Sequence, residues 1–144
     1  MKNLVKRTIN QSKWFAFSSL LGFLLISVGS ASADATINLT PSQCSVSFSV
    51  SGGDGCDQSQ CSGVAGCVCV KKGEFITWNI SGDDKFKLKF QGSSPLHKNC
   101  GHNFKGKQHN CKVKDEVQPG QQYDYQVILK SCANGTDPRI VIRG

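Results

Sequence analysis

Hydrophobic and polar residues alternate with a period of two in five segments of the chain, an alternation typical of half-buried β-strands. The clearest segment is 44–51, in which Cys44, Val46, Phe48 and Val50 alternate with four serines. The same alternation occurs in segments 74–80, 85–90, 123–130 and 139–143. The run 67–70 (CVCV) is apolar at every position, which predicts a central strand covered on both faces.

Short turn segments separate the predicted strands, and each of them contains glycine, often beside Asp, Asn or Pro. They are 52–55, 72–73, 81–84, 119–120 and 134–135. Two longer segments, 51–66 and 91–110, are predicted loops with cysteines in or beside them. No window has a convincing helical period. Strands at this spacing predict an all-β fold, an antiparallel sandwich or barrel.

The first 33 residues have the three parts of a secretion signal. Four basic residues precede residue 14, segment 15–28 is apolar, and segment 31–33 (ASA) supplies the small residues of a cleavage site. The apolar run is shorter than the ~20 residues of a membrane-spanning helix. We therefore expect cleavage after Ala33, leaving residues 34–144 as one domain in the periplasm or the medium, with no membrane span. Removal of the signal lowers the formal net charge from +7 to +3.

Eight cysteines, all after the predicted cleavage site, predict a disulfide framework formed in an oxidising compartment. They are Cys44, Cys56, Cys61, Cys67, Cys69, Cys100, Cys111 and Cys132. The spacing favours a Cys100–Cys111 bridge across the second loop and a bridge from Cys56 to Cys61 or Cys67 in the first. The rest of the connectivity stays open. Cys67 and Cys69 are two positions apart, so we expect them to bond to different partners.

Two parts of the chain resemble a known family. Segment 75–90 (FITWNISGDDKFKLKF) is similar to a strand–turn–strand unit of the cupredoxins, the small plastocyanin- and azurin-type copper proteins. Segments 120–127 (GQQYDYQV) and 138–142 (PRIVI) are similar to the last two strands of that fold. The resemblance covers about half of the chain after the signal. It implies an antiparallel β-sandwich of the cupredoxin or immunoglobulin-like Greek-key kind, which the eight cysteines make disulfide-rich. By itself it does not imply a function.

The residues that a blue-copper centre requires are missing from this resemblance. Such a centre needs two histidines, a cysteine thiolate and usually a distant methionine. The resemblance puts Phe86 at the position of the first histidine ligand and Val127 at roughly that of the cysteine. The single methionine is Met1, within the predicted signal, and the eight cysteines can all pair. The resemblance therefore implies the fold without type-1 copper, and we expect no bound cofactor of that kind.

All three histidines, His97, His102 and His109, lie in the predicted loop 91–110. Neutral imidazoles held on a disulfide-tied loop could bind Cu(II) or Zn(II). They could also act as an acid–base pair beside the lysines of this loop, as in secreted ribonucleases. Their spacing matches no helical or strand ligand pattern, and no carboxylate lies near them in sequence. Solvated loop residues are thus a third interpretation.

Lysines concentrate in the central part of the chain, and six of them could contact an acidic partner. They are Lys85, Lys87, Lys89, Lys98, Lys105 and Lys107. Such a patch is suited to an acidic protein or an anionic polymer. The alternative is a protective role, because lysines on edge strands discourage sheet-to-sheet aggregation.

No catalytic motif is present in the sequence: it contains no nucleophile elbow, phosphate loop or zinc-protease signature. The leading hypothesis is an exported, non-catalytic binding module that engages an acidic partner through the lysine- and histidine-rich loop. The first alternative is a non-blue Cu(II)- or Zn(II)-binding protein that uses the three histidines. The second is a small secreted hydrolase or nuclease.

Overall fold

The computed structural model describes residues 34–144, and within them the chain forms nine strands. The predicted secretion signal, residues 1–33, lies outside the described residues. Helical structure in the described part is limited to α1 (Gln58–Cys61) and a 3₁₀ turn, His97–Asn99. The strands are β1 (Ala35–Ser42), β2 (Ser45–Gly52), β3 (Val68–Lys71), β4 (Phe75–Ile80), β5 (Phe86–Phe90), β6 (Gln108–Lys112), β7 (Gln122–Leu129), β8 (Gly135–Thr136) and β9 (Arg139–Arg143).

The strands form two sheets. The first has the order β2–β1–β4–β6, and the second has the order β3–β9–β7–β5 with β8 paired to β7. Strands β1 and β4 pair in parallel in the first sheet, as do β3 and β9 in the second, and the other neighbours are antiparallel. The predicted all-β sandwich is confirmed, with sheets that are mixed rather than purely antiparallel. From β3 to β7, each successive strand lies in the opposite sheet. In this part of the chain, consecutive strands are therefore not neighbours within a sheet.

The core is built by the alternation seen in the sequence, since the apolar positions of both sheets face each other. Trp78 on β4 and Tyr125 on β7 are its largest fully buried side chains. Trp78 Nε1 donates a hydrogen bond to the Tyr125 hydroxyl at 3.0 Å, so both buried polar atoms are satisfied. Burial raises the pKa of Tyr125, and this hydrogen bond opposes the rise.

All eight cysteines are paired, as predicted, in the bridges Cys44–Cys132, Cys56–Cys69, Cys61–Cys67 and Cys100–Cys111. The prediction for Cys100–Cys111 is confirmed, and Cys67 and Cys69 do bond to different partners. The predicted bridge from Cys56 to Cys61 or Cys67 is wrong, because Cys56 reaches forward to the buried Cys69 of β3. Four disulfides indicate an oxidising environment.

Strand β3 corrects a second expectation. Segment 67–70 was expected to be a central strand, whereas β3 lies at one end of the second sheet. Its free edge is nevertheless covered by the first long loop, because the Asp54 amide donates to the Cys69 carbonyl at 2.9 Å. Cys69 is therefore buried without a neighbouring strand on that side. In the described part of the chain, no helix is long and apolar enough to cross a membrane.

Candidate functional site

The second long loop, residues 91–107, packs along the free edge of β5. The Leu88 amide donates to the Gly101 carbonyl at 2.7 Å, and the Cys100–Cys111 bridge ties the loop to β6. Gly101 has φ +79°, and a Cβ there would lie 2.6 Å from the Leu88 side chain, so this contact requires glycine. Lys98 also has a positive φ. The loop is thus held in one defined shape beside the sandwich.

His109 has a structural role in this arrangement. It lies on β6, is 9% exposed and points into the core. Its Nε2 atom is 3.1 Å from the Phe86 carbonyl of β5 and donates to it, and its ring packs edge-on against Phe86 with centroids 4.6 Å apart. His109 therefore connects the two sheets at their lysine-rich end. The sequence pattern missed this role, because β6 was expected to be part of a loop.

His102 is exposed, and its ring is the outermost in a series of stacked aromatic side chains. Its ring stacks on Phe90 at 6.4 Å, and Phe90 stacks on Tyr125 at 5.2 Å. Tyr125 in turn contacts Trp78 in the core. An otherwise solvent-facing imidazole is thereby in contact with the aromatic residues of the core.

A polar pocket of about 440 Å³ opens where this loop meets the sandwich. Two lysines, Lys98 and Lys105, and two histidines, His102 and His109, line it, with no acidic side chain among the lining residues. Lys98 and Lys105 are exposed and make no ion pair among the described residues. We name this site the cationic pocket. Its chemistry suits a carboxylate, phosphate or sulfate group.

A second pocket, of about 510 Å³, shares Lys98 and Cys100 with the cationic pocket. His97, Asn110, Lys112 and the exposed Phe75 line it, so it combines an aromatic ring with cations. The three histidines are therefore divided between two pockets, with His97 in one and His102 and His109 in the other.

The lysines of β5 lie outside both pockets. Lys87 and Lys89 point away from the core, and the Lys87 ammonium lies 5.0 Å from the centre of the Phe104 ring. Lys107 instead pairs with Asp83 at 2.9 Å. This hydrogen bond and charge hold the pKa of the Asp83 carboxyl below its ordinary value. Of the six lysines proposed from the sequence, Lys107 is the one with an ion pair in the described region.

The expected three-histidine metal site is not assembled in the described residues. Within residues 34–144, the one group of three His, Cys, Asp or Glu side chains with ligand atoms within 4.8 Å of one another is Cys56, Cys61 and Cys69. All three are oxidised in disulfides and offer no thiolate. Metal binding through histidine stays a prediction, now centred on the cationic pocket.

The positions that the cupredoxin resemblance assigned to copper ligands are in the core. Phe86 and Val127 have no exposed surface and lie on neighbouring strands, with Val127 paired to Leu88. Both are part of the apolar core that holds the sheets together. Neither side chain offers an atom that binds a metal ion.

No protein-family model matches this chain, and no curated protein matches it. The functional argument therefore depends on the geometry and charge of the described residues.

Proposed function

We propose that this chain is an exported, non-catalytic binding module, a cupredoxin-like sandwich without blue copper, that engages an acidic partner through its lysine- and histidine-rich loop. The observation that carries the proposal is the charge of segment 85–114, which has eight lysines and no acidic residue. Two of these lysines, Lys98 and Lys105, line a concave site free of carboxylates. Cations gathered at a cleft attract and orient anionic groups more strongly than scattered surface charges do.

Protection of a sheet edge accounts less well for these lysines. The loop 91–107 already covers the free edge of β5, through the hydrogen bond from Leu88 to Gly101. An edge that is covered does not need lysines to prevent pairing with another sheet. Because the loop already protects this edge, Lys87 and Lys89 remain available for a binding role.

Titration of the secreted form with poly-L-glutamate tests the proposal. Raising NaCl from about 0.1 M to about 1 M shortens the screening length from about 10 Å to about 3 Å, so binding should weaken strongly. Replacing both Lys98 and Lys105 by Ala should weaken binding by about fivefold or more, because contacts to charged groups are removed. The control is Lys72→Ala, an exposed lysine outside segment 85–114, which should change binding by less than about twofold. Salt-independent binding, or an equal effect of Lys72→Ala, would contradict the proposal.

The two alternative functions keep one supporting observation, that His102 and His109 share the cationic pocket. A metal-binding protein would take up Cu(II) or Zn(II) in a calorimetric titration and lose that uptake in His102→Ala. A nuclease would cleave RNA and lose that activity in the same variant. His102 is the suitable residue for both experiments, because His109 also connects the two sheets.

A further inference from the structure

The outer face of the first sheet is covered by uncharged polar side chains. Four come from β1, four from β2, and two each from β4 and β6, and the strand register aligns them in rows. They are Thr36, Asn38, Thr40, Ser42, Ser45, Ser47, Ser49, Ser51, Thr77, Asn79, Gln108 and Asn110. We name this surface the polar face. Lys112 on β6 also lies on this side, at the end of the rows opposite Phe75, and it is the one charged residue among the outward positions of these four strands.

One row of the polar face is ordered by side-chain hydrogen bonds across three strands. Asn79 Nδ2 donates to Asn38 Oδ1 at 3.3 Å, and Gln108 Nε2 donates to Asn79 Oδ1 at 2.9 Å. The amides are thereby held in fixed orientations on a rigid sheet. Side chains that are ordered in advance lose less entropy when a ligand binds.

An aromatic ring stands at one end of this surface. Phe75 is 40% exposed and is on the same side of β4 as Thr77 and Asn79, beside Lys112 on β6. Among the described residues, Phe75 is one of two large hydrophobic residues that are exposed, and it is the aromatic one. The pocket that it lines also includes Asn110, so the ring and the amide rows are continuous.

The polar rows and the exposed Phe75 ring together favour one chemical class of partner. An apolar partner would leave the amides and hydroxyls without hydrogen bonds, which is costly. A nucleic acid needs cations along its phosphates, and the rows offer a single lysine, Lys112, at one end. A chain of β-linked pyranoses fits both features, since its hydroxyl groups pair with amides and hydroxyls and its flat ring faces stack on aromatic rings. We propose that the polar face binds a neutral β-linked glycan, with Phe75 stacking on a sugar ring and Asn38, Asn79 and Gln108 hydrogen-bonding its hydroxyl groups.

Calorimetric titration with cellohexaose and chitohexaose tests this assignment. At least one should bind, with an affinity that changes little between about 0.1 M and 1 M NaCl because both oligosaccharides are uncharged. Phe75→Ala should weaken binding about tenfold through loss of the stacked ring. The matched control is Val50→Ala, which removes the other exposed large hydrophobic residue, outside the polar face. It should leave the affinity within about twofold of the parent value.

Further measurements keep the inference independent of the proposed function. Lys105→Ala changes the cationic pocket but not the pocket that Phe75 lines, so it should retain glycan binding. Phe75→Ala should retain poly-L-glutamate binding. Thr77→Arg, which places a bulky charge in the middle of the rows, should abolish glycan binding without lowering the melting temperature by more than a few degrees. Absence of binding to both oligosaccharides at about 10 mM, which corresponds to a free energy weaker than about −3 kcal/mol, would overturn the inference. Equal affinities of Phe75→Ala and Val50→Ala would do so too, as would a dimer that Thr77→Arg dissociates, because a second copy would then cover the face.

Discussion

The Cys44–Cys132 disulfide should contribute more to stability than any other bridge in the described chain. Cys44 lies in the turn between β1 and β2 of the first sheet, and Cys132 follows β7 of the second. The bridge closes a separation of 88 residues, against 13, 6 and 11 for the other three. A cross-link restricts the unfolded chain more when it closes a longer loop.

The loop-closure model gives the size of the effect. It assigns about 4.6 kcal/mol to Cys44–Cys132 and about 2.4 kcal/mol to Cys61–Cys67. The other bridges lie inside the longer loop and shorten the path through it. Because the dependence on length is logarithmic, this lowers the larger figure only to about 4.3 kcal/mol. A difference of about 2 kcal/mol therefore remains between the two bridges.

Urea unfolding of two double variants measures this difference. In one variant Cys44 and Cys132 become Ala, and in the other Cys61 and Cys67 become Ala. None of these four cysteines is fully buried, so cavities in the folded state add little to either value. The first variant should lose about 2 kcal/mol more free energy of unfolding than the second. Equal losses, or the reverse order, would refute the reasoning that loop length dominates.

Two further predictions concern the packing of the core and the loss of stability at low pH. Tyr125→Phe removes the acceptor for the buried Trp78 Nε1 donor, so it should lower the free energy of unfolding by about 1–3 kcal/mol; a loss below about 0.5 kcal/mol in urea unfolding would contradict this. Ser131 Oγ donates to Asp84 at 2.6 Å and holds the pKa of this carboxyl below 3.8. A depressed pKa stabilises the fold above that value, and the contribution is lost as pH falls through the folded-state pKa. The destabilisation caused by Ser131→Ala should therefore be larger at pH 7 than at about pH 2, and a pH-independent effect would count against the bond.

The alternation of residues predicted strands well where the inward side chains are apolar. Segments 44–51, 74–80, 85–90, 123–130 and 139–143 correspond to β2, β4, β5, β7 and β9. Strand β6 was missed because one of its two inward residues is His109, so that Cys111 is the single apolar residue in the segment. They are buried through pairing with β4, which is a tertiary contact that no local pattern encodes. Strand β1 was overlooked although Ala35, Ile37 and Leu39 alternate with polar residues.

The candidate sites, like the strands, could be predicted only where their signal is local in sequence. Composition alone located the lysine- and histidine-rich loop, because its charge is local in sequence. It could not show that His109 connects the sheets while His102 remains exposed, since that depends on the register between β4 and β6. The polar face could not be predicted from the sequence, for the same reason. Its rows come from four strands between residues 36 and 110, and a shift of register by one residue would turn each strand's side chains to the other side.

The two sheets expose different chemistry on their outer faces. The second sheet carries charged side chains, including Lys89 and the Arg139–Asp124 ion pair at 2.6 Å, and part of it lies under the disulfide-tied first loop. Among the described residues, the outward side chains of the first sheet include a single charge, Lys112, which lies at the end of the rows opposite Phe75. Burial of the core would be served equally well by any polar residues on that side, so core packing does not select amides and hydroxyls there. Recognition of a neutral, hydroxyl-rich surface would select them. It would leave the cationic pocket, which Lys98 also lines, free for a separate acidic group.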